Sequence, residues 1–283
     1  MINPKDVLEK LFNPGYLPKL YFDKLHYIDL HIIDGCNYNC ARCFKFSPLC
    51  KNPGIADKDQ VIKDLKQLST IEPTLDGISI IGGEPLISPD IIDYIYACKK
   101  YFPYTDVTII TNGLAIPQMS EEFFKAIKDT NTMLAISKYF DEHFYDGIRE
   151  VLAKHNCHDM YVFSKVQGLD CAMFLQMNLD ETGSQDPERI WDKCSAKNGC
   201  VILKDGKLWS CSNHCMKYIL NDYFDTHLID YPEDGIDIYK NSYKKIIEHL
   251  KKPKKGCRYC TESIYDAMYF PQNTSYKKSE WIK

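Results

Sequence analysis

The chain predicts an α/β fold: a parallel sheet curled into a partial barrel, followed by a smaller cysteine-rich unit. Three observations carry this expectation. Short apolar strands alternate with amphipathic helices up to about residue 180. Residues of unusual chemistry follow the strands instead of sitting inside them. Beyond that point the composition changes, and Cys194, Cys200, Cys211, Cys215, Cys257 and Cys260 crowd into a short stretch.

The elements follow in order. Tyr27 to Ile33 reads as a buried strand that runs into a cysteine loop. Asp57 to Leu68 has helical periodicity, with Val61, Ile62, Leu65 and Leu68 on one face. Gly77 to Ile81 is an apolar strand ending at Gly82-Gly-Glu-Pro85, after which Ser88 is expected to cap a helix reaching about Tyr101. Asp106 to Ile110 is a third strand, closed by Thr111-Asn-Gly113, and Gln118 to Lys128 reads as a helix. Thr132 to Ile136 is a fourth strand, ending at Ser137-Lys138, and Glu142 to Lys154 is its helix. Met160 to Phe163 and Ala172 to Met177 are two further strand candidates.

Strands alternating with helices point to βαβ units and a parallel sheet. In barrels of that kind the site lies at the C-terminal ends of the strands. The cysteine loop, Gly-Gly-Glu-Pro, Thr-Asn-Gly and Ser-Lys each end a different strand, so a barrel brings all four to one rim. The polar stretch Glu181 to Pro187 reads as a linker, dividing the chain at 1–185 and 186–283. Val201 to Ser210 reads as a hairpin turning at Asp205-Gly206, and Asn241 to Leu250 as a helix.

Bulk properties narrow the class. The 283 residues, 45% of them hydrophobic, suffice for a sizeable core. A net charge of −4 supplies no global basic field, so neither nucleic acid nor a membrane is expected as a partner. The run Lys251 to Lys255 reads as a solvated loop. No apolar run approaches the roughly 18 residues that span a bilayer, and the N-terminus lacks a signal pattern. A cytoplasmic location is therefore expected. Thiols stay reduced there, so the spacing of 13 cysteines points to metal instead of disulfides.

The pattern Cys36-x3-Cys40-x2-Cys43 puts three thiolates on one short loop. Three thiolates can hold three corners of a cubane iron–sulfur cluster and leave the fourth iron open to a small molecule. Zinc is the alternative on spacing alone, with Cys50 as fourth ligand.

With Gly82-Gly-Glu-Pro85 after the second strand, the cysteine pattern resembles the radical S-adenosylmethionine (radical SAM) superfamily over about residues 25 to 180. The longer string Cys36 to Pro48 also resembles a bacterial subgroup found among polysaccharide-building enzymes. The resemblance implies a partial (β/α)6 barrel, a [4Fe–4S] cluster on Cys36, Cys40 and Cys43, and SAM on the open iron. It implies reductive cleavage of SAM to a 5′-deoxyadenosyl radical that takes a hydrogen atom from a substrate. A reductant such as flavodoxin or ferredoxin is then required.

By the same resemblance Gly82 and Gly83 let the backbone approach the SAM amino group, with Glu84 and Pro85 beside them. Thr111 and Asn112 match positions that touch ribose or carboxylate; Ser137 and Lys138 do likewise or touch substrate. The family's aromatic residue before the third cysteine is Arg42 here, whose guanidinium can stack on a base.

Cys194-x11-Gly206-x4-Cys211 with Cys257-x2-Cys260 resembles the twitch form of the SPASM domain. That likeness implies an auxiliary [4Fe–4S] cluster on Cys194, Cys211, Cys257 and Cys260, in a small β-hairpin-plus-helix unit. A zinc ribbon also fits this spacing, and Cys200 can replace Cys194. Cys50, Cys98, Cys157 and Cys171 read as small buried apolar residues. His214, beside Cys211 and Cys215, either faces the substrate or caps a turn.

The resulting expectation is a radical SAM oxidoreductase or epimerase acting on a small hydroxylated or sugar-like molecule. Modification of a ribosomally made peptide is the second reading; the roughly 25 residues before the first strand leave no room for a peptide-recognition domain. A zinc-binding interaction module is the non-enzymatic reading. Sulfur or methyl insertion has no supporting segment.

Overall fold

The computed structural model describes residues 24–164, 174–194, 201–268 and 273–283. Strands β1 (Tyr27–His31), β2 (Gly77–Ile81), β3 (Asp106–Thr111), β4 (Met133–Ser137) and β5 (Tyr161–Ser164) pair in parallel, each beside the next. Helices α1 (Lys58–Ile71), α2 (Ile91–Tyr101), α3 (Glu121–Thr130) and α4 (Glu142–Lys154) form the crossovers. Parallel neighbours require such crossovers, and the alternating sequence pattern has this origin.

Helix starts follow local chemistry. Asp57, Ser120 and Asp141 each accept a hydrogen bond from a backbone N–H three residues on, and α1, α3 and α4 begin there. Helix α2 departs from expectation. It begins at Ile91, behind Asp90, because Pro85–Ile87 first forms a 3-10 turn; Ser88 ends that turn, and its buried hydroxyl has no hydrogen-bond partner among the described residues.

The period-2 alternation of the strands separates two faces. Ile28, Leu30, Ile78, Ile80, Val107, Ile109, Leu134 and Ile136 are all buried, and they pack with helical residues such as Leu65, Tyr94, Phe123 and Ile148. On the opposite face Tyr27, Ile110 and Val162 remain 55%, 40% and 53% exposed. A parallel sheet normally covers both faces. The half-open concave face is where the site develops.

The sixth parallel strand comes from elsewhere than the order of strand candidates suggests. Strand β6 (Phe174–Leu179) leaves the main sheet and pairs antiparallel with β10 (Cys260–Met268). The free edge of β1 is taken in parallel by β7 (Ile202–Lys204), with Asp29 opposite Ile202. The β7–β8 hairpin (β8, Lys207–Trp209) turns at Asp205 and Gly206, both with positive φ (53° and 70°), and β9 (Gly235–Asp237) completes the sheet. A two-residue turn with both residues left-handed matches the twist of the strands it joins.

Helices α5 (Pro187–Lys193), α6 (Ser212–Phe224) and α7 (Tyr243–Leu250) complete the described set. Helix α6 was not expected, because Ser212-Asn-His carries no apolar periodicity; it is buried continuously from Ser212 to Lys217. A second core gathers around it from Phe46, Leu49, Met216, Leu220, Tyr259 and Trp281. The C-terminal segment crosses the cysteine loop here: Trp281 Nε1 donates to Cys43 O (2.9 Å) and Thr274 N to Asn39 O (2.9 Å). Among the described residues no helix is long and apolar enough to cross a membrane.

Trp281 thus fills the second core and holds the cysteine loop at once. Trp281→Ala is expected to destabilise by about 3–5 kcal/mol. Trp281→Phe, which keeps most of the burial and loses one hydrogen bond, should cost only about 1–2 kcal/mol. Urea unfolding monitored by circular dichroism separates the two; equal losses would show that the ring volume is not what matters.

Candidate active site

The site begins where β1 ends. Asp34 N and Gly35 N donate to Pro53 O (3.1 and 2.8 Å), which folds the chain back on itself. The buried Asp34 carboxylate is held from three directions, by His31 Nε2 at 2.7 Å, Lys204 Nζ at 3.6 Å and the hydroxyl of Tyr218 on α6. Burial alone would raise its pKa, but the His31 hydrogen bond and Lys204 outweigh burial and lower it. Burial pushes His31 down to about 4. The neutral ring therefore gives its Nε2 proton to Asp34, and its buried Nδ1 meets no partner among the described residues.

The next requirement is close approach of two strand ends. A Cβ on Gly82 would lie 2.4 Å from Ile33 O, and one on Gly83 would lie 2.1 Å from Gly35 O. Real side chains cannot occupy those positions, and glycine is obligatory. Gly83 N donates to Ile33 O (2.8 Å) and Glu84 N to Gly35 O (3.0 Å), locking the cysteine loop to the end of β2.

Glu84 then reaches sideways. Its carboxylate accepts from Thr111 Oγ1 (2.7 Å), Asn112 N (2.9 Å) and Leu86 N (3.0 Å), tying the end of β2 to the end of β3. Burial raises it to about 7 despite those three donors. Asn112 passes the link onward, donating from Nδ2 to Asn37 Oδ1 (2.8 Å) and lying 3.7 Å from Cys36 Sγ.

These contacts enclose a cavity of about 200 Å³. Cys36, Cys40, Cys43, Gly82, Gly83, Glu84, Thr111, Asn112 and Ser137 all line it. Burial, followed by Glu84 and Cys43, pushes the Cys36 thiol up to about 12; burial, then Cys43 and Cys36, raises Cys40 further. All three thiols line the same cavity, so they converge. Ionising them together without a counter-charge is unfavourable, and binding an iron–sulfur group supplies that charge and releases protons. Ser47 Oγ, buried on the wall without a partner among the described residues, leaves a polar atom for a ligand to meet. Among the described residues no three His, Cys, Asp or Glu close on a single metal ion. Three cysteine thiols on one cavity wall are the donor set that a cubane with one open iron would need.

Three expected residues stand elsewhere. Arg42 is outside the cavity wall, its backbone in the left-handed region (φ 60°), and Phe44, two residues on, lines the wall instead. Lys138 is turned to Glu142 at the start of α4 and lies over the Tyr145 ring. Pro85 opens the 3-10 turn behind the wall. The wall also contains Asp29, Tyr38, Lys45 and Tyr139, which sequence reading passed over. Only Asp29 left a signal, as a lone acid inside the apolar strand Tyr27–His31.

The second thiol set also assembles. Cys194 ends α5, Cys211 precedes α6, Cys257 lies in the 3-10 turn Lys255–Tyr259, and Cys260 opens β10. Burial, then Cys260, Cys194 and Cys257, drives the Cys211 thiol well up. Asp234 shapes the Cys257 loop by accepting from Lys255 N (2.9 Å) and Gly256 N (2.7 Å). Cys50 belongs near the first set, where Asp34, Cys43 and Cys36 act on it. Cys98 and Cys157 are core residues, as expected, and Cys215 packs in the second core. Cys171 and Cys200 lie outside the described residues.

Residues 30–156 match the family model described as the Radical SAM superfamily. The chain carries a radical SAM domain. Radical SAM proteins are enzymes that use a [4Fe–4S] cluster and SAM. Among curated proteins, the GTP 3′,8-cyclase of Alkaliphilus oremlandii (strain OhILAs) is 28% identical over 118 residues, covering 38% of this chain and 33% of that protein. The GTP 3′,8-cyclase of Clostridium botulinum (strain Hall) is 31% identical over 114 residues, covering 39% and 35%. The chain thus spans about a third of the length of the curated relatives it matches. Among solved structures, BtrN in complex with AdoMet and 2-DOIA superposes with a TM-score of 0.52 at 17% identity, covering 90% of this chain and 98% of that one. This similarity establishes a shared fold for the radical SAM domain and the region that follows it.

Two outcomes are expected at Glu84. Glu84→Ala leaves the Thr111 hydroxyl and the Asn112 N–H without an acceptor and should cost about 2–4 kcal/mol, read by urea unfolding. Because the folded-state pKa is raised from 4.5 to about 7, the stability this group contributes is full below 4.5 and lost as pH rises through 7. Glu84→Gln should therefore show a flatter melting-temperature profile than wild type between about pH 4.5 and 7.

Proposed function

We propose that this protein is a radical SAM dehydrogenase for a small hydroxylated molecule of the sugar or cyclitol class. Its second iron–sulfur group would sit on Cys194, Cys211, Cys257 and Cys260, in a unit beginning near residue 186. Asp29 carries the reading. It stands on the concave face of β1, on the wall of the cavity that holds the three cluster thiols. Burial raises its pKa, and Lys45 partly opposes the rise.

When bound, the cluster and SAM supply the hydrogen-atom abstraction. The chain's own residues have a different task. Oxidising an alcohol carbon to a carbonyl removes one hydrogen atom, one proton and one electron. The hydroxyl proton needs an acceptor beside the reacting carbon, and we assign that role to Asp29. Tyr38 and Tyr139, stacked with ring centroids 6.5 Å apart, supply an apolar wall against which a ring can lie. Trp281 and Thr274 hold the loop between the cavity and the C-terminal segment.

The GTP 3′,8-cyclases make a nucleotide the other substrate class to offer. Among the described residues the cavity wall holds one basic side chain, Lys45, against Asp29 and Glu84. That balance suits a neutral or cationic polyol better than a triphosphate.

The test is anaerobic reconstitution with SAM and a reductant of the flavodoxin or ferredoxin class, offering C-deuterated aminocyclitols, nucleotide-linked sugars and GTP. Deuterium should pass from a polyol into 5′-deoxyadenosine. Cys40→Ala should form no 5′-deoxyadenosine. Asp29→Asn should still form it while lowering oxidised product by about 100-fold or more. Wild-type turnover by Asp29→Asn would sink the assignment, as would deuterium transfer from GTP alone.

A further inference from the structure

The second thiol set lies against the first turns of α6, and those turns are unusual. Cys211 occupies the N-cap without a side-chain hydrogen bond, and every residue from Ser212 to Lys217 is buried. Asn213 Nδ2 lies 3.9 Å from Cys260 Sγ, and His214 Nε2 lies 3.8 Å from Cys257 Sγ. His214 Nδ1 is buried with no partner of its own among the described residues. One turn further on, the side chain of Lys217 is only 3% exposed and its ammonium has no hydrogen-bond acceptor among the described residues. The Asp230 carboxylate is 3.7 Å away and largely solvated, and the Tyr231 ring centroid is 5.4 Å away.

Lys254 provides the contrast. It is equally buried near Cys257, but its ammonium donates to His249 O (2.6 Å) and to Lys252 O, so its charge is satisfied by the chain. Lys217 is not satisfied in this way. A buried ammonium without hydrogen bonds is costly unless a negative charge stands nearby. Cys260 is within its electrostatic reach.

We propose that Lys217 and His214 are positioning residues that raise the reduction potential of the group on Cys194, Cys211, Cys257 and Cys260. The site is thereby biased to take up an electron. The proposal rests on the reading of those four thiols as cluster ligands. Its physics is direct. One-electron reduction makes a cluster on four thiolates more negative by one charge. Positive charge, sulfur-directed hydrogen-bond donors and the N-terminal end of a helix all stabilise that added charge. The electron comes from the substrate radical left after hydrogen-atom loss, and the proton released with it goes to the cavity carboxylate. An acceptor site favours net oxidation, whereas returning a hydrogen atom, as in epimerisation, leaves no electron to remove.

The experiment is a redox titration of the anaerobic holoenzyme followed by electron paramagnetic resonance. The second group is identified as the signal that SAM does not perturb. Lys217→Met and His214→Leu should each make its reduction at least about tenfold less favourable, a shift of about 59 mV to lower potential for one electron. Lys217→Arg, which keeps the charge, should restore the wild-type value. If Lys217→Met binds too little iron to measure, His214→Leu with the Lys217→Arg comparison decides the question. An unchanged potential in His214→Leu and Lys217→Met at full iron and sulfide content overturns the inference and leaves the cluster reading intact. Wild-type protein holding only about four irons and no SAM-insensitive signal overturns both.

Discussion

The near-contact of two backbones, Gly82-Gly83 against Ile33–Gly35, is the constraint on which the site depends. With no Cβ between them, the end of β2 hydrogen-bonds directly to the start of the cysteine loop. Everything that faces the cavity inherits its position from that seam. The Glu84 carboxylate extends it to β3 through Thr111 and Asn112, and Asn112 returns to the cysteine loop through Asn37 and Cys36. The motif acid is thus a buried bracket between strand ends. Three donors gather around it, and burial still holds its pKa near neutrality.

Helix α6 joins the two thiol sets into one device. Tyr218 reaches the Asp34 carboxylate under the first cysteine loop. Four and five residues earlier in the chain, His214 and Asn213 face Cys257 and Cys260. The same helix therefore anchors one loop and electrostatically conditions the other. Strand β7 reinforces the connection, because Lys204 contributes to the Asp34 cluster while its strand extends β1. The C-terminal segment closes the arrangement from outside through Trp281 and Thr274.

Much of the catalytic half was legible because its signals are local. Strand ends, crossover helices and their caps are written in consecutive residues, and Asp57, Ser120 and Asp141 mark starts that the structure reproduces. The Asp205-Gly206 turn was legible for the same reason, since its backbone requires residues that tolerate positive φ. Ser88 shows the limit of such reasoning. Its sequence reads as a cap, yet the 3-10 turn at Pro85 delays the helix to Ile91. Arg42 shows another limit, because a left-handed backbone carries it off the wall and leaves Phe44 there.

The sequence by itself determined the parallel α/β core, the three-thiol loop and the glycine pair, because each is enforced by short-range sterics or by spacing along a few residues. Tertiary structure alone decided that β6 leaves the sheet for β10 while β7 takes the edge of β1. It also decided that Asp29 faces the cavity, and that α6 carries a buried ammonium, Lys217, with no hydrogen-bond acceptor among the described residues. Those outcomes depend on pairing between segments far apart in the chain, as when Leu179 meets Cys260 and Asp29 meets Ile202, and on which face of an element is left uncovered. No local pattern encodes such a choice, since strand edges and helix faces compete for partners only once the whole chain has collapsed.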